Sequence, residues 1–233
     1  MIGDEQATGD AVSTAVPAAQ RTRVLVVDDH DLFRTGLVSL LASEPDLEVV
    51  AQASSGRSGV RLARELRPDV VLMDLRMPDI DGVQATSQIV QRDSSTAVIV
   101  LTVASGEEHV QAALKAGACG FVAKETPLPS LVSAVRAAAE GAAWFSPRAA
   151  AVVLDRLRRE DPEQASDHAA DGLSPRELEV LRLIACGLGN SEIAENLGIS
   201  PRTAKNHVSS VLAKLGLPSR VQAAVYAVRS GLD

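Results

Sequence analysis

The chain has 233 residues, 46% of them hydrophobic, and contains only three Phe, one Trp and one Tyr. A chain of this length forms one large domain or two modest ones, and its cores must be aliphatic. Its 30 acidic and 23 basic side chains give a net charge of −7. No apolar run approaches the roughly 20 residues of a membrane span, and no secretory signal is visible, so we expect a cytoplasmic protein without a membrane partner. Cys119 and Cys186 lie far apart in apolar segments, which favours free thiols.

Residues 1–21 are small, polar or acidic without periodicity, which predicts a disordered tail. From 22 to 140, strand-like and helix-like segments alternate five times. The strands are predicted at 23–27, 48–53, 69–73, 97–101 and 119–123, and the helices near 31–43, 57–66, 81–92, 107–116 and 128–140. This alternation predicts an α/β fold, a (β/α)5 doubly wound parallel sheet, for which we expect the strand order 2-1-3-4-5.

Polar residues stand at the carboxyl ends of four of these apolar runs. Asp28 and Asp29 follow the first strand, and Asp74, Thr102 and Lys124 follow three others. Ligands of open α/β sheets bind at this edge, so we expect these side chains to form one pocket, here called the acid pocket. Clustered carboxylates repel unless a cation lies among them, and Mg²⁺ binds through a few carboxylates and waters. The residues therefore predict a site for Mg²⁺ and a phosphoryl group, with Asp74 as nucleophile.

Each of these residues also has a simpler interpretation. An Asp after a strand is most often a helix cap or turn residue, which we favour for Asp31 and Asp79. Thr102 could be only a β-former, and Lys124 a solvated surface residue. The joint placement of the polar residues at four strand ends favours the functional interpretation.

Residues 141–170 are predicted to be a linker that is partly helical. Gly141 ends the preceding helix, Pro147 could open another, and Asp161-Pro162 would end that one. From 171 to 233 the pattern is helical and predicts a small all-α domain. Ser174-Pro175 followed by Glu177 is typical of a capped helix start.

Residues 189–216 predict a helix-turn-helix, with helices near Asn190–Leu197 and Pro201–Leu215. The second helix has a stripe of apolar residues spaced for burial: Ala204, Val208, Val211, Leu212 and Leu215. Polar residues fall on its other side: Arg202, Lys205, Asn206 and Ser209. No acid occurs in 201–215, which favours a DNA-reading helix over an ordinary surface helix, because Lys and Asn can bind base edges and Arg202 and Thr203 a phosphate.

Two sets of motifs resemble a known family. Residues 22–140 contain Val-Asp28-Asp29-His, Met73-Asp74-Leu-Arg-Met-Pro78, Leu-Thr102 and Gly-Phe-Val-Ala-Lys124, which closely resemble receiver domains of bacterial two-component response regulators. Residues 171–233 contain Leu173-Ser-Pro-Arg-Glu177 and Ile-Ser200-Pro-Arg-Thr-Ala-Lys205-Asn-His207-Val, which look like the LuxR-type domain. The two domains together define the NarL/FixJ class.

For the receiver, the resemblance implies that a sensor histidine kinase phosphorylates Asp74. Asp29, Asp74 and the backbone carbonyl of Arg76 would hold Mg²⁺, and Asp28 would act through water. Thr102 and Phe121 would be a coupled switch, although Phe121 could equally be a plain core residue. Receivers usually have a small residue after the switch Thr. Val103 departs from this, and we expect it to narrow the pocket mouth and slow phosphotransfer or hydrolysis.

For the second domain, the resemblance implies binding of double-stranded promoter DNA by a homodimer. The residues predicted to contact DNA are Arg202, Thr203, Lys205, Asn206, His207, Ser209 and Lys214. The last helix, near Ser219–Ser230, would pair two such domains through Val221, Ala224, Val225 and Val228, although part of this stripe could pack within its own domain. Ser191, where a Lys is common, and Ala204, where a Val is usual, predict weaker DNA binding.

We therefore predict a DNA-binding transcription regulator switched by phosphorylation, not an enzyme. One alternative is a phosphatase or phosphotransferase that uses Asp74 on an external substrate. Such enzymes usually have a general acid two residues later, where this chain has Arg76. The other alternative is a regulator that binds DNA without phosphorylation. The complete set of acids, Thr102 and Lys124 argues against it, while Val103 keeps it open.

Overall fold

The structure, a computed structural model, describes residues 21–103, 106–146, 149–153 and 172–232. The predicted tail, except Arg21, and the polar part of the predicted linker lie outside these residues. The amino-terminal domain is an α/β fold with one parallel sheet in the order β2-β1-β3-β4-β5-β6. Its strands are β1 (Thr22–Val27), β2 (Leu47–Ala53), β3 (Val70–Asp74), β4 (Ala97–Thr102), β5 (Gly120–Ala123) and β6 (Trp144–Phe145). The predicted fold and the order of the first five strands are confirmed.

Five helices connect these strands and lie on both faces of the sheet. They are α1 (Asp31–Ala42), α2 (Gly56–Leu66), α3 (Gly82–Arg92), α4 (Glu107–Ala116) and α5 (Leu128–Ala139). α2 and α3 begin at side-chain caps, because Ser55 accepts from the N–H of Ser58 and Asp81 from that of Gln84. α4 ends at Gly117, whose φ of +102° suits glycine. Along β1, Val24 and Val26 pack on the α1 and α5 side, and Leu25 and Val27 pack on the α2 and α3 side.

The sixth strand corrects the predicted domain limits. Trp144–Phe145 pairs with β5, although 141–170 is predicted to be linker. The Trp144 N–H donates to the Cys119 carbonyl at 3.2 Å, and Gly141, with a φ of +79°, turns the chain back beside the sheet. A two-residue strand is too short to produce a recognisable alternation of apolar residues. A helical segment, α6, follows; its described part is 149–153, and Ala149 packs into the receiver core.

The carboxy-terminal domain is all-α, as predicted. It contains α7 (Pro175–Ala185), α8 (Asn190–Leu197), α9 (Pro201–Leu215) and α10 (Arg220–Arg229). The cap predicted at Ser174 is confirmed, because its hydroxyl accepts from the Glu177 N–H and the Glu177 carboxylate accepts from the Ser174 N–H. The predicted limits of α8 and α9 are also confirmed. In the described part of the chain, no helix is long and apolar enough to cross a membrane.

The two domains contact each other at the amino ends of the strands, in what we call the closed arrangement. Lys205 Nζ of α9 lies 3.1 Å from Asp69 Oδ1, directly before β3. Gln222 Nε2 of α10 donates to the Leu114 carbonyl of α4 at 2.8 Å. The N–H of Asn190, at the start of α8, donates to the Glu140 carbonyl after α5 at 2.6 Å. A cavity of about 60 Å³ remains between the domains. This arrangement places the predicted DNA-reading helix against the receiver.

Candidate functional site

The register of the parallel sheet brings the predicted polar residues together. β1 pairs with β3 through Val27 and Met73, so the acidic residues that end these runs lie side by side. Across the sheet, Asp74 pairs with Leu101 and Thr102 with Ala123. Asp28, Asp74 and Thr102 are all buried. The predicted acid pocket is therefore present as a cluster of side chains at one edge.

Lys124 joins the acidic residues of this pocket. Its Nζ lies 2.6 Å from Asp28 Oδ2 and 3.1 Å from Asp74 Oδ2, and its side chain is only 8% exposed. The Lys124 N–H donates to the Thr102 carbonyl at 2.8 Å, which ties β5 to β4 beside the pocket. Its ammonium also lies 4.8 Å from the centre of the Phe33 ring. Phe33 was missed in the sequence, where it looks like one more apolar residue of α1.

The electrostatics of the pocket favour a bound cation. Burial raises the pKa of Asp74, and the neighbouring charge of Asp28 raises it further, while Lys124 opposes both effects. Three acidic residues converge here, and the Asp28 Oδ2 and Asp74 Oδ2 oxygens share one ammonium, that of Lys124. Carboxylate oxygens are the ligands that Mg²⁺ prefers. The donor set therefore fits the predicted ion, and Arg76 lines the same groove as Asp29.

His30 also belongs to this cluster, although its sequence position alone suggested no role. Its Nδ1 lies 2.9 Å from Asp29 Oδ1 and 3.9 Å from Asp74 Oδ2. The only signal in the sequence is that His30 directly follows Asp29.

Of the two nearby acids given a simpler interpretation, Asp79 fits it as a capping residue, whereas Asp31 lies inside the first turn of α1 and is not its cap. Asp79 accepts from the N–H groups of Gly56 and Arg57 at the start of α2. Its burial alone would raise its pKa, but these donors, with the Ile80 N–H, outweigh burial and lower the pKa to about 2. Asp31 lies in the first turn of α1 and pairs with Arg34. Neither residue belongs to the acidic cluster.

The predicted switch residues lie beside the pocket and beneath α4. Thr102 ends β4, and Phe121 of β5 is buried in a core cluster with Val100 and Val110. Val221 of α10 packs against this same cluster from the other domain. Val103 is 67% exposed, so its side chain points largely to solvent at the end of β4. The core cluster thus connects Phe121 to the carboxy-terminal domain through Val221.

On α9 the predicted buried stripe is confirmed. On the opposite face, some residues are exposed and others lie against the amino-terminal domain. Ala204, Val208, Val211 and Leu212 are buried and Leu215 packs beside them. Arg202 and Asn206 are exposed, and His207 is half-buried. Lys205 and Ser209 line the cavity against the receiver. The predicted outward face is therefore only partly outward in the closed arrangement.

Two other residues predicted to contact DNA are engaged within their own domain. Thr203 Oγ1 lies 2.8 Å from the hydroxyl of Ser200, the cap of α9. Lys214 Nζ lies 2.6 Å from Glu177 Oε2, and the Ser210 hydroxyl donates to Glu177 Oε1 at 2.6 Å. The Lys214 and Ser210 contacts lower the pKa of Glu177 well below its usual range. Glu177 thus holds the start of α7 to the last turns of α9.

Only part of the predicted dimer face of α10 is exposed, because the rest packs within this chain. Val221 contacts the receiver, and Ala224 packs on the core of the carboxy-terminal domain. Val225 is half-buried, and Val228 is 53% exposed. Ser191, predicted to cost a phosphate contact, donates instead to Glu140 Oε2 of the receiver at 2.5 Å.

Known proteins resemble the chain over both domains. The response regulator receiver domain family matches residues 24–136, and the luxR family of bacterial regulatory proteins matches residues 171–227. Transcriptional regulatory protein LiaR of Bacillus subtilis (strain 168) is 44% identical over 210 residues, 90% of this chain and 98% of LiaR. Response regulator protein VraR of Staphylococcus aureus (strain COL) is 39% identical with the same coverage. The structure of two RcsB dimers bound to two parallel DNAs has a TM-score of 0.54 at 26% identity, covering 90% of this chain and 99% of RcsB.

These matches agree with the geometry of both domains. The acid pocket lies within the first matched range, and the helix-turn-helix lies within the second. The chain therefore belongs to the bacterial two-component response regulators of the NarL/FixJ class, transcription regulators with a receiver domain followed by a LuxR-type DNA-binding domain.

Proposed function

We propose that phosphorylation of Asp74 by a sensor histidine kinase, with Mg²⁺ in the acid pocket, controls DNA binding by this regulator. One observation carries the proposal. The buried Asp74 carboxylate shares the Lys124 ammonium with Asp28, at 3.1 and 2.6 Å, beside a groove that opens to solvent. A nucleophile, a cation for the phosphoryl oxygens and an access route thus occur together.

The transfer follows from these contacts. An Asp74 carboxylate oxygen attacks the phosphorus of a phosphohistidine, the phosphorus–nitrogen bond breaks, and the leaving imidazole takes up a proton. Lys124 turns from its acidic partners to the phosphoryl oxygens, where an ammonium stabilises the charge. Thr102 supplies a hydroxyl donor at the end of the neighbouring strand. Hydrolysis of the acyl phosphate by water restores Asp74 and releases inorganic phosphate.

The proposed phosphoryl transfer to Asp74 also requires Mg²⁺. Asp29, Asp74 and the backbone carbonyl of Arg76 would hold Mg²⁺, with Asp28 acting through water. When bound, this ion neutralises part of the negative charge of the phosphoryl group. The convergence of three acidic residues around one lysine supports this assignment, because a divalent cation offsets the repulsion among clustered carboxylates.

The output is a change in the closed arrangement. Phosphorylation shifts Thr102 and Phe121, and Val221 of α10 lies against the cluster that contains Phe121. Loss of this contact releases α9, so that Lys205 and Ser209 join Arg202 and Asn206 in binding promoter DNA. The freed α10 then pairs with that of a second copy through Val221 and Val228. The printed description of RcsB, two dimers on DNA, supports a dimeric form.

We also propose that the chain does not act on an external substrate. Arg76 occupies the position two residues after Asp74, where phosphatases and phosphotransferases of that kind usually have a general acid. The chain acts only on its own phosphoryl group. We place it in the bacterial cytoplasm, in keeping with the free thiols of Cys119 and Cys186.

The test is incubation of the full chain with a small phosphodonor and Mg²⁺, followed by intact mass and retention of a randomised duplex DNA pool. We expect one phosphoryl adduct and stronger DNA retention. Asp74→Ala should give neither, and Asp79→Ala, which removes an acid outside the pocket, should give the adduct. No adduct on the wild-type chain, or an equal adduct on Asp74→Ala, would overturn the mechanism.

A further inference from the structure

Exposed arginines line one side of the receiver, although the chain is acidic overall. α2 and α3 together contain four arginines and one acid, Glu65, in a chain whose net charge is −7. With the residue that caps the end of α2, these arginines line a groove between the two helices, here called the arginine groove: Arg57, Arg61, Arg64, Arg67 and Arg92. None of them belongs to the acid pocket.

Most of these exposed guanidinium groups are not neutralised by acids. Arg61 pairs with Glu65 at 3.0 Å, whereas the side chains of the other four arginines form no ion pair with any described residue. The second acid that lines the groove is Asp93, whose Oδ1 accepts from both the N–H and the hydroxyl of Ser95. The wider part of the groove measures about 1100 Å³ and is lined by exposed side chains, which suits a large polyanion better than an enclosed small ligand.

The arginines of α2 are spaced to contact one extended partner. Arg57, Arg61 and Arg64 lie at i, i+4 and i+7 and therefore share one side of the helix. Arg67, the C-cap, continues this row. From Arg57 to Arg67 the row spans about 15 Å at 1.5 Å per residue, and one strand of duplex DNA has a phosphate about every 3.4 Å along its axis. The row is therefore long enough to follow about four phosphates.

The position of the groove favours DNA as this polyanion. Thr96 lines both the arginine groove and the cavity between the domains, and Lys205 of α9 lies on the other side of that cavity. Arg23 connects the same two places, because its Nη1 donates to the Arg67 carbonyl at 3.0 Å and its N–H donates to Asp69 Oδ2 at 3.0 Å. Asp69 also contacts Lys205. The groove thus begins beside the helix predicted to read DNA.

We propose that the arginine groove binds the phosphate backbone of duplex DNA, whatever its base sequence, in the unphosphorylated protein with the closed arrangement intact. Guanidinium groups bind phosphate oxygens through paired hydrogen bonds, and contacts to the backbone alone do not read bases. The groove is exposed in the closed arrangement, in which Lys205 is held by Asp69. The receiver thus keeps the inactive regulator on DNA. Release of α9, which rests on the proposed function, then adds base contacts.

Titration of the full chain, without phosphodonor, onto two unrelated duplexes at several salt concentrations tests this surface. We expect similar affinities for the two duplexes and a steep loss of affinity with salt. Arg64→Gln combined with Arg92→Gln removes one unpaired cation from each side of the groove. It should lower the affinity at least about tenfold at low salt and reduce the salt slope by about two. Arg64→Lys combined with Arg92→Lys keeps both charges and should retain most of the binding, and circular dichroism verifies that each variant is folded.

The matched control is Lys115→Gln combined with Arg136→Gln, which removes the same charge from α4 and α5 and should leave affinity and salt slope unchanged. Wild-type affinity and slope for Arg64→Gln with Arg92→Gln would contradict the proposal. So would displacement of the DNA by polyglutamate as readily as by an unrelated duplex, which would indicate an acidic protein as the partner. Asp74→Ala should bind both duplexes as the unphosphorylated wild-type chain does, so failure of phosphoryl transfer would show separately as a missing adduct.

Discussion

The two edges of the receiver sheet each contain a lysine paired with aspartate, but the two pairs differ in their surroundings. At the carboxyl edge, Lys124 contacts Asp28 and Asp74 within one domain and is 8% exposed. At the amino edge, Lys205 of α9 contacts Asp69 across the domain boundary, with side chains 29% and 36% exposed. Exposed ion pairs contribute little to stability, whereas breaking a buried one is costly. The acid pocket therefore depends on a buried ion pair within one domain, whereas the ion pair between the domains is partly exposed and adds little to stability.

The largest effect should come from the buried pair. Lys124→Ala is expected to slow phosphoryl acceptance by about 100-fold, because the cation facing the phosphoryl oxygens is lost. The initial rate of adduct formation with a small phosphodonor measures this effect, with circular dichroism to verify folding. Lys115→Ala removes an exposed lysine of α4 and should leave the rate unchanged. Equal rates for Lys124→Ala and the wild-type chain would show that the carboxyl-edge pair has no role in transfer.

Breaking the contacts at the amino edge of the sheet should have a smaller effect. It should raise DNA affinity, whereas the change at Lys124 lowers the rate of phosphorylation. Asp69→Ala combined with Glu140→Ala removes the partners of Lys205 and of the Ser191 hydroxyl. The unphosphorylated protein should then bind duplex DNA up to about tenfold more tightly, since each exposed contact contributes less than about 1 kcal/mol. DNA titration without phosphodonor, together with the radius of gyration from small-angle scattering, measures the opening.

The matched control for this double variant is Asp31→Ala, which removes an exposed acid that pairs with Arg34 on α1. Its DNA affinity should equal that of the wild-type chain. If the double variant remained compact and bound DNA no better, the closed arrangement would not restrain α9.

A third prediction concerns the stability of the carboxy-terminal domain. Lys214, then Ser210, lowers the folded-state pKa of Glu177, so its contribution is complete above the ordinary value of 4.5 and is lost as the pH falls through the folded-state pKa. Glu177→Gln should destabilise this domain by on the order of 1 kcal/mol at pH 7. Its deficit in Tm should shrink below about pH 4.5. Glu179→Gln, an exposed acid paired with Arg176, should show no such pH dependence.

The smallest effect is expected at Val103. Val103→Ala should speed phosphoryl acceptance or adduct hydrolysis by about threefold, because its β-branched side chain stands at the end of β4 but is largely exposed. Time courses of adduct formation and decay, measured by intact mass, test this expectation. Unchanged rates would show that Val103 does not slow phosphoryl acceptance or adduct hydrolysis. They would also weaken the case for phosphorylation-independent binding of promoter DNA.

Much of the fold could be predicted because its signals are local. Continuous apolar runs identified the buried strands, and the cap at Ser174 identified the start of α7. β6 was missed because Trp144–Phe145 has no periodic pattern, and it forms only because Gly141 returns the chain to β5. The candidate site could be predicted because its residues directly follow strands, and neighbouring parallel strands bring their carboxyl ends together. His30 and Phe33 were missed because nothing in their spacing shows that they face that edge.

The sequence by itself determined the parallel α/β fold, the helix-turn-helix, and the acids, Thr102 and Lys124 of the pocket, because each depends on short-range periodicity or on a strand end. Only the tertiary structure decided which surfaces are covered. Lys205 lies against Asp69 and Val221 against the Phe121 cluster, although the first looked available for DNA and the second for a second copy, and Ser191 contacts Glu140 across the domain boundary. The physical reason is that domain docking depends on the shape and charge of two folded surfaces, which no local pattern in the chain records.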